Sequence, residues 1–224
     1  MNDARKPVIA ILGGTGDLGS GLAAAWSKAG YNVVVGSRSR EKAVAFAESC
    51  GGGVSGDDNA GAARQAGVVV LAVPYANHAP LLQEIGAELS GKIVVTAVVP
   101  LVPPKVSTVQ LPPDGSAALE ARRILGDCVR LVSAFHNVGA AKLRAGGKAE
   151  CDVLVFSDDR EARDLVIGLA DIVASRGVSG GALANSVAAE AMTSILIGIN
   201  RQYQVSGAGI SISGLPAREA RPRP

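Results

Sequence analysis

Short runs of β-branched and other apolar residues recur along the chain, nearly all of them without polar alternation: "VIAIL" (8–12), "NVVVG" (32–36), "GVSG" (53–56), "VVVLAV" (68–73), "KIVVTAV" (92–98) and "VRLVSAF" (129–135). A strand with one wet face alternates apolar and polar side chains, so these runs are expected to be strands covered on both faces of a parallel sheet. Between them lie Ala-rich stretches of helical period, expected as helices near 17–30, 40–50, 58–66, 78–89 and 116–126. The Pro-rich segments "LVPPKV" and "QLPPDGS" are expected to form a long loop after the fifth strand.

Beyond residue 150 the rhythm changes. A strand "DVLVFS", a helix near 159–176, a glycine turn "RGVSGG" and a long Ala-rich helix over 182–203 are expected in turn. The pattern therefore predicts an α/β, Rossmann-type, doubly wound parallel sheet over 1–150 with a small C-terminal α/β subdomain over 151–216. The last residues, 217–224, are expected to form a disordered tail.

The first strand runs into "ILGGTGDLGSGL" (11–22), where Gly14, Gly16 and Gly19 stand at GxGxxG spacing and a helix follows. In this strand–turn–helix context Gly14 would permit the tight turn and Gly16 would let a pyrophosphate approach the backbone. Gly19 would let the helix pack closely on the sheet. The N–H groups near Thr15, Gly16, Asp17 and Leu18 would then hold the pyrophosphate at the positive end of the helix. Asp17 fits there as an acid in the first helical turn, its side chain turned away from the phosphate.

At the end of the second strand, "VVVGSRSREKA", no carboxylate occupies the position where one binds the ribose hydroxyls of NAD. Ser37 and Arg38, with Lys42 one turn on, suit a phosphate monoester instead, so the expected cofactor is NADP(H). The bland alternative makes Ser37 the cap of the next helix and Arg38 a solvated charge.

Composition adds mainly exclusions. The net charge is +2, and "AREARPRP", with three Arg against one Glu, accounts for all of it, leaving residues 1–216 neutral. A neutral body with 3% aromatics lacks the basic stripe and stacking platforms of a nucleic-acid binder. Neither a signal peptide nor a membrane span is expected, and Cys50, Cys128 and Cys151 lack metal-site spacing, so the expected setting is cytoplasmic, with no metal. The apolar helix at 182–203 carries more hydrophobic surface than a small subdomain buries, and a homodimer is expected.

Five segments, "GGTGDLGSGLA", "VVVGSRSREKA", "VPYANHA", "KIVVTAVVPLV" and "VSAFHNVGA", stand in the same order as in the F420-dependent NADP reductases, which exchange hydride between NADP and the deazaflavin coenzyme F420. The similarity runs from residue 8 to about 215. It implies NADP contacts at Thr15, Gly16, Asp17 and Leu18 for the pyrophosphate, and at Ser37, Arg38 and Lys42 for the 2′-phosphate. Val73, Pro74, His78 and Ala140 would line the rest of the cofactor, with His78 one residue further along than its counterpart in the family. It further implies a deazaflavin pocket built by His136, Asn137, Val138, Gly139 and Ala208. The chain departs from the family at Gly139, where members carry proline, and a looser loop is expected there.

Hydride transfer needs two flat rings held in contact, a positioning effect that supplies roughly 7–11 kcal/mol, and no acid–base residue is strictly required. His136 either hydrogen-bonds the deazaflavin ring or simply ends its strand. Lys142, Arg144 and Arg201 are either partners of the anionic tail of F420 or ordinary surface charges. Two other readings stay open: an NADPH-dependent reductase of another flat heterocycle (flavin, pterin or small imine), and a sensor that binds NADP without turning it over.

Overall fold

The computed structural model describes residues 6–215; the Pro/Arg tail lies outside them. Eight strands form one sheet: β1 (Ile9–Leu12), β2 (Val33–Ser37), β3 (Val54–Asp58), β4 (Val68–Leu71), β5 (Ile93–Thr96), β6 (Arg130–Ser133), β7 (Ala149–Phe156) and β8 (Ala174–Gly181). Their order is β3-β2-β1-β4-β5-β6-β7-β8. β1 to β6 are mutually parallel, with Ile9 level with both Val33 and Val68, and β7 meets β6 antiparallel through the pair Ser133 and Phe156. All four residues of β1, β4 and β5 are buried, as their unbroken apolar runs require.

The helices are α1 (Asp17–Lys28), α2 (Arg40–Cys50), α3 (Asn59–Gln65), α4 (His78–Ile85), α5 (Ala117–Leu125), α6 (Ala140–Arg144), α7 (Arg160–Val173) and α8 (Ser186–Tyr203). Local chemistry sets their starts. The side chains of Ser39, Asp58, Ser116 and Asp159 accept the N–H of Lys42, Gly61, Leu119 and Ala162 at the heads of α2, α3, α5 and α7. Lys92 closes the other end of α3, its Nζ donating to the carbonyls of Ala63, Arg64 and Ala66 at 2.5, 3.1 and 2.8 Å.

Residues 151–216, expected as a small subdomain, supply most of β7 and all of α7, β8 and α8, and β7 and β8 continue the same sheet. Trp26 of α1 ties the two parts together. It is fully buried, donates Nε1–H to the Leu169 carbonyl of α7 at 3.1 Å, and meets Phe135 edge-on at 5.7 Å.

Residues 174–181 depart from the expectation of a helix end and a glycine turn: they form β8. Two of its glycines explain how. A Cβ on Gly177 would meet the Ile167 carbonyl at 2.7 Å and one on Gly180 the Phe156 ring at 2.1 Å, so here small residues serve close packing rather than a turn. The chain after α8 is strapped across β7. Asp152 N–H donates to the Ile210 carbonyl at 2.7 Å, the Ile212 N–H donates to the Asp152 carboxylate at 2.7 Å, and Arg176 spans that carboxylate and the Ile212 carbonyl. No described helix is long and apolar enough to cross a membrane.

Candidate active site

Since β1 to β6 run parallel, their carboxyl ends share one edge, and the strand order reverses between β1 and β4. That reversal opens a crevice where ligands of such sheets bind. The glycine loop sits in it. Gly13, not Gly14, adopts the left-handed backbone of the turn (φ +80°), and a Cβ there would strike the Ala72 carbonyl at 2.5 Å. Gly14 serves packing instead: a Cβ would come within 2.7 Å of the Ile11 carbonyl and 2.8 Å of Val35. Gly19 lets α1 sit directly on the loop, its Cβ position being 2.6 Å from the Gly14 Cα. Gly16 is the N-cap of α1 and brings no side-chain cap. Its own N–H donates to the Gly13 carbonyl at 3.0 Å, and the N–H groups of the first turn that follow are left for a ligand.

A cleft of about 410 Å³ opens over this loop, bordered by Gly13, Thr15, Gly16, Ser37, Arg38, Asn59, Val73, Pro74 and Asn77. Ser37 is not the helix cap. Ser39 does that work, accepting the Lys42 N–H at 3.3 Å, while Ser37 accepts the Ser39 N–H at 3.3 Å and faces the cleft beside Arg38. Asn59 was not anticipated. It is buried at the head of α3, and its Oδ1 has no hydrogen-bond partner, an orphaned acceptor bordering the space a nucleotide would fill.

The Asp17 side chain turns out of the crevice to an exposed ion pair with Arg144 of α6. Leu18 packs against the core. Lys42 is exposed on α2 and does not border the cleft. The His78 side chain faces inward, fully buried with Nδ1 3.4 Å from Glu120, and Asn77, one residue earlier, borders the cleft instead. The turn of the chain after Pro74, which forms a 3₁₀ turn over Tyr75–Asn77, carries His78 away from the crevice. Burial pushes its pKa below the usual histidine value, against the pull of Glu120.

A second cavity of about 390 Å³ lies between the start of α6 and α8. It brings together His136, Asn137, Val138, Gly139 and Ala208, the five residues expected to form one pocket. Ala140, expected with the cofactor residues, borders this cavity as well. Thr193, Leu196, Ile197 and Asn200 of α8 complete the wall. They escaped notice because helical spacing shows which residues share a face but not what that face meets.

Each end of this wall is pinned. Asn137 Nδ2 donates to the Asp152 carbonyl at 2.9 Å, Thr193 Oγ1 to the His136 carbonyl at 3.1 Å, and Ala208 N–H to Asn200 Oδ1 at 2.9 Å. At Gly139 a Cβ would sit 3.0 Å from the Gly207 Cα, so its absence lets the strap close against the 136–140 segment. Lys142 pairs with Glu150 at 3.2 Å, and Arg201 reaches Ser107 at 3.4 Å.

His136 is buried, with Nε2 2.9 Å from Ser133 Oγ, and burial lowers its pKa to about 4. The ring is therefore neutral at physiological pH. Behind it, Glu190 of α8 is buried and accepts the N–H groups of Ala117 and Ala118 at 2.6 and 3.1 Å. Burial raises its pKa to about 7, although those bonds, with others from Ser186 and Ser133, favour the charged form.

The chain is similar to known proteins over most of its length. Residues 8–100 match the model of a family described as NADP oxidoreductase, coenzyme F420-dependent. The chain is 39% identical over 221 residues to the F420-dependent NADP reductase of Methanocaldococcus jannaschii, covering 92% of this chain and 98% of that one. The enzyme of the same name from Methanothermobacter marburgensis is 40% identical over 222 residues, covering 93% and 99%. Among solved structures, a protein of Arthrobacter sp. FB24 superposes with a TM-score of 0.80 at 22% identity, covering 93% of this chain and all of that one. A pyrroline-5-carboxylate reductase from Coxiella burnetii does so at 0.60 and 21%, covering 88% and 70%.

Proposed function

From the premise that the chain belongs to the F420-dependent NADP reductase family, we infer that it is an oxidoreductase transferring hydride between NADP(H) and the deazaflavin coenzyme F420. The observation that carries the reading is the presence of two cavities, one over the glycine loop with Ser37 and Arg38, the other walled by residues 136–140 and α8. When bound, NADPH supplies the hydride, and F420 receives it.

The chain's own residues bind and orient. The backbone N–H groups of Thr15, Asp17 and Leu18 are offered to the pyrophosphate, the Gly16 N–H being held by the Gly13 carbonyl, and Ser37 and Arg38 take the 2′-phosphate. Asn59 Oδ1 offers an acceptor to the adenosine. Val73 and Pro74 guide the nucleotide along the end of β4. The floor of the second cavity is small and apolar, with Val138, Gly139, Ala140 and Ala208, which allows a flat ring to lie close. His136, Asn137, Thr193, Asn200 and Ser206 are its polar residues.

The reading is tested by comparing NADPH oxidation with coenzyme F420, FMN, FAD and a dihydropterin as acceptors. Rapid turnover with F420 is expected, with the other three slower by a hundredfold or more. Preference for a different acceptor would replace the deazaflavin with that heterocycle, and tight NADPH binding with no turnover on any of them would make the protein a sensor.

The protein is further read as a cytoplasmic homodimer. Ile195, Ile199 and Tyr203 form an exposed stripe on α8, with exposures of 46%, 36% and 66%. They repeat every fourth residue on the face opposite Ser186, Ala189, Glu190 and Ser194.

A further inference from the structure

Val205, Ser206, Gly207 and Ala208 close one side of the second cavity, yet they belong to no helix or strand. Backbone outside the regular elements keeps its place only where its ends are tied. One end of this strap is tied to α8: the Val205 N–H donates to the Asn200 carbonyl at 3.1 Å, and the Ala208 N–H to Asn200 Oδ1 at 2.9 Å. The other end is tied to one residue of β7, Asp152.

Asp152 lines neither cavity, but each of its polar groups is engaged in fastening their surroundings. Its N–H donates to the Ile210 carbonyl at 2.7 Å, and its carboxylate accepts the Ile212 N–H at 2.7 Å. Its carbonyl accepts Asn137 Nδ2–H at 2.9 Å, and Asn137 belongs to the opposite wall of the same cavity. Both walls are thus fastened to a single residue. Between them the strap lies close on β7, since a Cβ on Gly209 would come within 2.5 Å of the Cys151 Cβ.

The carboxylate is buried, and a buried charge is tolerated only where a partner meets it. That partner is Arg176, which stands level with Asp152 on the neighbouring strand β8. Its Nε and Nη2 donate to the two carboxylate oxygens at 2.9 and 2.8 Å, and Nη2 also donates to the Ile212 carbonyl at 2.7 Å. A guanidinium fork of this kind fixes the plane of the carboxylate, which keeps one oxygen aimed at the Ile212 N–H. An apolar side chain would serve a buried strand as well; only a carboxylate so held can grip the strap.

We propose that Asp152, oriented by Arg176, is a positioning residue that holds the two walls of the second cavity together and so sets the affinity for the deazaflavin without touching it. This rests on the function proposed above.

The test uses the full chain and combines amide hydrogen exchange without ligand, steady-state kinetics with F420, and NADPH titration. In the wild type the N–H groups of Ala208 and Ile212 should exchange slowly. Asp152→Asn keeps the volume but turns a donor toward Arg176, and both amides should then exchange about tenfold faster. The KM for F420 should rise about tenfold, with kcat lowered by less and NADPH binding unchanged. Arg176→Lys keeps the charge without the fork, so it should raise KM less than Arg176→Gln does. If Asp152→Asn folds poorly, Gly209→Ala takes its place: residue 209 is exposed, and the added Cβ should push the strap off β7 and raise KM in the same way.

A purely structural Asp152 would reduce the amount of active protein, lowering apparent kcat and NADPH sites alike while KM for F420 stayed constant. That result, or unchanged exchange of both amides in Asp152→Asn, overturns the proposal. Should the wild type fail to reduce F420, the function above falls, and the exchange measurement still decides whether Asp152 holds the wall.

Discussion

Individual residues carry the clearest tests of cofactor choice. Arg38 borders the cleft beside Ser37, and a guanidinium there gains most from the extra phosphate of NADPH. Arg38→Ala is expected to weaken NADPH binding by about 1–3 kcal/mol and to leave NADH nearly unchanged; equal losses for both nucleotides, measured by titration calorimetry, would remove the phosphate from that position. Gly19 tests the loop. Its Cβ would lie 2.6 Å from the Gly14 Cα, and backbone cannot give way as a flexible side chain can. Gly19→Ala should therefore cost about 1–3 kcal/mol of stability in urea unfolding and weaken NADPH as the helix lifts off the loop. The glycines and the Ser37–Arg38 pair were legible because they answer to backbone geometry and charge in one short stretch. The division of labour was not, since the left-handed turn belongs to Gly13, and only the approach of Ala72 from β4 makes that visible.

At the level of elements, α8 has two lives. Its inner face supplies Glu190 to the head of α5 and Thr193 and Asn200 to the second cavity, while Ile195, Ile199 and Tyr203 look outward. If that stripe joins two copies, Ile199→Glu should convert a dimer to a monomer in light scattering. A wild-type protein already monomeric at micromolar concentration would remove the dimer. The helical period of 182–203 was evident from the residues, but period alone cannot say which neighbour each face receives. β8 shows the reverse failure. "RGVSGG" has the composition of a turn, and it is a strand because Phe156 and the Ile167 carbonyl leave no room for side chains there.

Across the whole molecule, opposing titrations shape the dependence of stability on pH. Glu190 has its pKa raised to about 7, so its contribution is complete below the unfolded carboxyl value and is lost as pH rises toward 7. His136 is lowered to about 4, and His78 is lowered too. Their contributions are complete above the unfolded histidine value and are lost as pH falls. Between about pH 7 and pH 5 these effects work against each other. The wild type should therefore lose less stability on acidification over that range than Glu190→Gln, and His136→Gln should lose less than the wild type. Urea midpoints at three pH values check the order, and parallel curves for all three proteins would contradict it.

The amino-acid order alone determined the layered architecture, the parallel strands β1 to β6, the glycine loop at the end of β1 and the placing of Ser37 and Arg38 at the end of β2. Each depends on residues near one another in the chain, where apolar runs and special backbone positions leave a direct mark. Only the tertiary structure decided that β7 and β8 extend the same sheet, that His78 points inward while Asn77 borders the cleft, and that Glu190 reaches the head of α5. Those outcomes depend on which surfaces meet between separated segments, 42 residues apart for His78 and Glu120 and 73 for Ala117 and Glu190, and burial and hydrogen bonding between such segments have no local signature.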